Sequence, residues 1–265
     1  MNKASKSYLK FLKKITRTIT SLLKKPVRGY ENEDYHQLRV EIKKLNAVLD
    51  CLKFCSKNCK RKKYLKPFQK IFKQAGTIRE IQLEETMLKK FPQYSIEHYL
   101  NDLERRIKKE QKKLSSMINK RLRRKIKRTF AKMKPFIHKM KDQKVKEFME
   151  NERKKIKDLI QQKSLAAEDI HEIRKRLKVD YYNRKILPLS DEQNVIEEED
   201  RFLELLGKWH DCRIMNDQLE KSIIEEEIDP AELNALLEIN ADVSLEADVL
   251  FKEINSWIGK KKTVV

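Results

Sequence analysis

Two short stretches carry side chains able to grip an anion. The first is His36-Gln37-Leu38-Arg39-Val40-Glu41-Ile42-Lys43-Lys44 and the second His171-Glu172-Ile173-Arg174-Lys175-Arg176-Leu177-Lys178; both read His-x2-Arg-x3-Lys. At about 100° per residue, those three positions fall within roughly 60° of one another on a helix. His36, Arg39 and Lys43 thus share one stripe with Lys44 on its flank, and His171, Arg174, Lys175 and Lys178 share another. Leu38, Ile42, Leu45 and Leu49 point away from the first stripe, as Ile170, Ile173 and Leu177 do from the second. Each helix would bury one face and present cationic donors on the other. A guanidinium forks across two phosphate oxygens, and a lysine acts as a mobile point charge. Two such rows point to a common polyanion.

The elements that position these rows repeat as well. Ala75-Gly76-Thr77-Ile78-Arg79-Glu80 in the first half answers to Leu206-Gly207-Lys208-Trp209-His210-Asp211 in the second. The histidines lie 135 residues apart and the glycines 131, in the same order, which marks an internal duplication. A glycine within a helical pattern costs about 1 kcal/mol relative to alanine. Either another helix approaches closely there, or a ligand reaches the backbone.

The 265-residue chain carries 62 Lys and Arg against 41 Asp and Glu, a net charge of +21. That excess repels itself unless something anionic neutralises it: nucleic acid, a membrane surface or a phosphate polymer. From residue 221 onward the balance reverses, with 5 basic against 10 acidic residues, so residues 1–220 hold a net +26. The positive charge is concentrated, as a directed surface requires. Four glycines and six prolines leave little material for tight turns, and the composition is all-α. Cys51, Cys55, Cys59 and Cys212 follow no disulfide framework and fit a reducing compartment. No run approaches the ~20 apolar residues of a membrane span, so a cytoplasmic protein is expected.

In chain order, Leu9, Leu12, Ile15, Ile19, Leu22 and Leu23 form a helical stripe over about residues 4–24. It fits a membrane-surface helix or, as expected here, the first helix of a bundle, since one partner helix would satisfy it. The first motif helix should run from a cap at Asn32 or Asp34 to about Asn58. On it Cys51, Cys55 and Cys59 align at i, i+4 and i+8, but no fourth ligand is near, so packing is expected and no metal. Further helices are expected over about 64–91 (interrupted at Gly76), 95–134, 141–163, 167–186 (ending before Pro188), 191–227 and from Pro230 onward. The cation-crowded stretch Arg105–Arg128 reads mainly as a solvated face.

The paired His-x2-Arg-x3-Lys helices, each followed by Gly-x2-Arg-Glu or Gly-x2-His-Asp, resemble the CHAD family, the conserved histidine α-helical domain, over about residues 4–258. That resemblance implies an all-α fold of two pseudo-twofold-related four-helix bundles flanking a basic channel, residues 1–138 forming one half and 139–265 the other. It also implies non-catalytic binding of inorganic polyphosphate, without a cofactor and in association with polyphosphate granules. The implied lining is His36, Arg39, Lys43, Lys44 and Arg79 from one half, with His171, Arg174, Lys175, Lys178 and His210 from the other. The chain departs from the family pattern at Asn46 and Tyr181, where a second motif arginine often stands, and at Arg79-Glu80-Ile81-Gln82, where Arg-Asp-x-Asp is common.

Other readings remain open. Non-specific nucleic-acid binding fits the charge, although the motif stripes offer neither base-edge readers nor stacking aromatics. A metal-dependent polyphosphate-processing enzyme would need Mg²⁺ on Glu80, Asp211 or the run Glu197–Asp200, and no phosphate-binding Gly-x4-Gly-Lys-Ser/Thr loop is present. The acidic final helix, Glu225–Glu253, would suit a protein partner. Near a polyanion the imidazolium form of His36 and His171 is favoured, so binding should be tighter at pH 6 than at pH 8.

Overall fold

The computed structural model describes residues 2–26, 29–162, 165–187, 193–225 and 228–263, with backbone alone for 193–197, 225 and 261–263. Pro188, expected to end the second motif helix, lies outside the described residues, as do the side chains of Glu197 and Glu225. Among those described there are nine α-helices and no strand: α1 Lys3–Leu22, α2 Asn32–Cys55, α3 Arg61–Leu88, α4 Glu97–Met117, α5 Lys120–His138, α6 Asp142–Ile160, α7 Ala167–Ile186, α8 Gln193–Glu225 and α9 Pro230–Thr263. The all-α reading holds. No helix among the described residues is long and apolar enough to cross a membrane.

The start of α9 at Pro230 and the span of α7 match their sequence patterns. Other boundaries need correction. The helix expected over 95–134 is two helices, α4 and α5, because the Asn119 side chain accepts the Leu122 N–H at 2.9 Å and starts a new helix. Pro135 lies within α5 and does not end it. Gly76 does not interrupt α3. At the start of α2 the cap is Glu31, and Asp34 closes the turn from the third helical position by accepting the Glu31 N–H at 2.7 Å. Because α2 ends at Cys55, Cys59 leaves the expected cysteine line and is buried in the following loop.

The helices group into two compact units, residues 1–76, 111–162 and 172–192 in one, and 77–110, 163–171 and 193–265 in the other. Both units draw on each half of the sequence, so this grouping by compactness differs in kind from a division at residue 138.

In the first unit α1 packs on α2, α5 and α6. Ala4, Tyr8, Leu12, Ile15 and Ile19 are all at most 2% exposed, so the apolar face of α1 is core and not a membrane face. Its N-terminus is tied to the α5–α6 corner: the Ala4 N–H donates to Asp142 Oδ1 at 2.7 Å, and Ser5 Oγ donates to the Ile137 carbonyl at 2.8 Å. Deeper in, Tyr8 donates its hydroxyl to Asn183 Oδ1 at 2.6 Å, and Asn183 Nδ2 donates to the Val179 carbonyl at 2.7 Å. Burial pushes the Tyr8 phenol pKa well up. This buried chain fixes the α7 backbone, and with it the second motif row.

In the second unit Ile81, Leu88, Tyr99 and Leu103 pack against Met215, Leu219, Leu236 and Ile239. The Glu232 carboxylate of α9 accepts the His98 and Tyr99 N–H groups at 2.8 Å each, capping the first turn of α4, which also carries Glu97. Phe202 and Trp257 stack with centroids 3.7 Å apart, closing α8 on α9.

Candidate anion-binding site

A cavity of about 960 Å³ opens within the first unit. From α2 it takes His36, Val40, Lys43, Asn46, Asp50 and Lys53, residues three to four apart along one helical face, together with Ile42 and Phe54. At 1.5 Å per residue, His36 to Phe54 spans about 27 Å. Opposite stand Arg174, Lys175, Arg176, Lys178, Val179 and Tyr182 of α7, with Arg61, Leu65, Phe68, Gln69 and Phe72 of α3 and Phe148, Glu152 and Lys155 of α6 completing the wall. Eight Lys and Arg side chains face three carboxylates around it, with His36 in addition.

Five of the ten expected lining residues meet here: His36, Lys43, Arg174, Lys175 and Lys178. Part of each motif row therefore lines one cavity. The other five lie elsewhere. Arg39 turns to α3, its guanidinium 4.8 Å from the Phe72 ring centroid and donating to the Phe72 carbonyl at 3.3 Å. Lys44 pairs at 2.6 Å with Glu41, whose side chain is only 3% exposed, so this ammonium is the counterion of a buried carboxylate. Arg79, His171 and His210 are half-buried in the second unit, where the two imidazole centroids lie 5.2 Å apart. In the second half, the histidine of α7 and the element after Gly207 on α8 thus meet in space.

The carboxylates temper the wall. Arg61 pairs with Asp50 and donates Nη2 to Asn46 Oδ1 at 2.7 Å. Where the motif lacks its second arginine at Asn46, a guanidinium arrives from the next helix. Burial raises the Asp50 pKa and the Arg61 charge opposes that shift. On the far side Glu152 accepts from Lys155 at 2.6 Å and from Arg176 at 3.2 Å. Glu172 pairs with Lys175 at 2.7 Å and Arg176 at 2.9 Å, and the Lys175 hydrogen bond holds its carboxyl below the usual range. Around Tyr181, the other departure, Lys178 and Lys185 place their ammonium groups 5.6 and 4.2 Å from the ring centroid.

Asp50→Asn should free Arg61 and add one positive charge to the cavity. Affinity for a polyanion is expected to rise about fivefold, roughly 1 kcal/mol, in a titration at fixed salt. Acid protonates Asp50 early because its pKa is raised, so wild type should approach the variant as pH falls through that range. An unchanged affinity would mean that Arg61 does not face the ligand.

Gly207 answers one question left open by the sequence. A Cβ built there meets nothing within 4 Å, so close helix approach is not what requires this glycine. On α5, Arg121, Arg124, Lys125 and Arg128 are exposed, as expected of a solvated face. Among the described residues, no group of three His, Cys, Asp or Glu side chains is placed to hold a metal ion.

The CHAD domain family model matches residues 10–220. The chain belongs to the CHAD family. As a CHAD protein it is similar in fold to the crystal structure of the CHAD domain from the plant Ricinus communis, at TM-score 0.77 and 12% identity, over 97% of this chain and 91% of that one. It also matches PptA from Streptomyces chartreusis, at TM-score 0.68 and 11% identity, over 97% and 99% of the two chains. No curated protein sequence matches it. At such identities the likeness is one of fold.

Several wall residues of this CHAD domain escape sequence reasoning. Arg176 lies off the motif stripe by helical angle, yet its guanidinium bridges Glu152 and Glu172. Arg61, Lys53 and Lys155 sit in lysine-rich contexts where nothing distinguishes them from solvated neighbours. Phe54, at the end of α2, carries no charge to single it out, yet it is 40% exposed on the cavity wall.

Proposed function

We propose that this protein binds inorganic polyphosphate without catalysis, in the cavity between α2 and α7. The observation that carries the reading is that His36 and Lys43 of one His-x2-Arg-x3-Lys row and Arg174 and Lys178 of the other line one cationic cavity. CHAD membership supports it. A linear polyphosphate has about one charge per repeat and no base edges, so its recognition is electrostatic and geometric. A wall about 27 Å long with repeated ammonium and guanidinium groups suits a threadlike polyanion. Contacts that displace condensed counterions should make the affinity fall steeply with salt, as for nucleic-acid phosphates.

Competition tests the preference. Long-chain polyphosphate bound to the protein should resist displacement by duplex DNA at equal phosphate concentration. Equal displacement would assign the cavity to phosphate backbones in general.

A further inference from the structure

We propose that the same cavity accepts a nucleoside 5′-polyphosphate, its base stacked on Phe54 and its phosphates along the cationic rows of α2 and α7. The inference rests on the reading of this cavity as a polyphosphate site and adds a second class of ligand to it. A bare polyphosphate chain is charged oxygen throughout and has nothing to place against an apolar wall. Yet Leu65, Phe68, Phe72, Val179 and Tyr182 face the cavity together with the cations.

Phe54 differs from the other aromatic rings of the wall. Phe68 is 0%, Phe148 3% and Tyr182 8% exposed, whereas Phe54 is 40% exposed. Its ring rests against Phe148, centroids 5.6 Å apart and tilted by 58°, so the platform is held in place before any ligand arrives. A flat base would cover what water now touches, and every base has a π-face to offer. Asn46, Asp50 and Gln69 on the same wall bring hydrogen-bonding groups of both kinds for a base or ribose.

Spacing and size agree. Phe54 follows Lys43 by 11 residues on α2, which is about 16 Å along the axis and within about 20° of the same face. That matches the reach of a nucleotide from base to terminal phosphate. The cavity of about 960 Å³ falls near the top of the ~300–1,000 Å³ range of small-molecule sites. Such a nucleotide would compete with polyphosphate for Lys43 and so couple the two ligands.

The test is calorimetric titration of the full chain with ATP and with inorganic tripolyphosphate at the same salt. ATP is expected to bind about tenfold more tightly, the margin of one base–aromatic stack. Phe54→Leu should erase that margin and leave tripolyphosphate binding unchanged, and Phe54→Trp should restore it. An unchanged unfolding midpoint in Phe54→Leu verifies that the fold is intact. Equal affinities in wild type, or a Phe54→Leu loss common to both ligands, would overturn the inference while the polyphosphate reading stands. If neither tripolyphosphate nor long-chain polyphosphate binds, that underlying reading fails. Phe54-dependent binding of a single-stranded oligonucleotide without ATP binding would also overturn it, in favour of a nucleic-acid strand.

Discussion

Replacing Lys43 and Arg174 together by alanine is expected to lower the affinity for long-chain polyphosphate about 100-fold at moderate salt. The two residues face the cavity from α2 and α7, one from each copy of the motif. A hydrogen bond to a charged group contributes about 1.5–3 kcal/mol. Lys43 is exposed and Arg174 half-buried, so the lower end applies, about tenfold per residue. Fluorescence anisotropy with labelled polyphosphate measures the loss. The matched control is Lys108→Ala/Lys109→Ala on the exposed side of α4, which removes the same charge from the molecule. That control should stay within about twofold of wild type. Equal losses in the two variants would mean that the overall field, and not the cavity, holds the polymer.

The largest expected effect on stability comes from Asp180→Ala. Asp180 Oδ2 and Arg184 Nε form an ion pair at 2.7 Å, and the two side chains are only 2% and 5% exposed. Arg153 of α6 approaches the same carboxylate at 3.9 Å. Removing the carboxylate leaves a buried guanidinium without its main counterion, at a cost of about 3–5 kcal/mol. Urea unfolding followed by circular dichroism should show the midpoint falling steeply. A loss below about 1 kcal/mol would mean that water or another acid replaces Asp180. Through Arg153 the same carboxylate also ties α7 to α6, so the second motif row depends on Asp180 although it does not belong to the motif.

The two motif rows were readable from the sequence because helical periodicity is local. His36, Lys43, Arg174, Lys175 and Lys178 follow from spacing alone, and they do meet on one wall. Arg39 shows where this reasoning stops. Its helical angle puts it on the stripe, but the nearby Phe72 ring and carbonyl attract the guanidinium toward α3. Lys44 was diverted by Glu41, a buried acid whose burial no local pattern announces. The start of α5 was missed because only one polar side chain, Asn119, marks it within a continuous basic run. Arg61 and Phe54 were illegible for a different reason: each matters through a partner on another helix. Asn46 and Asp50 receive Arg61, and Phe148 supports Phe54. All-α periodicity was legible because 3.6-residue patterning is imposed by burial at every turn.

On the proposed reading the polymer lies in the cavity between α2 and α7. Lysine acetylation footprinting with and without long-chain polyphosphate, read by mass spectrometry, tests that place directly. Lys43, Lys175 and Lys178 should be strongly protected, while Lys108, Lys109 and Lys112 of α4 keep their reactivity. Protection spread evenly over the surface lysines, or concentrated on α5 with Lys43 and Lys178 unprotected, would contradict the account.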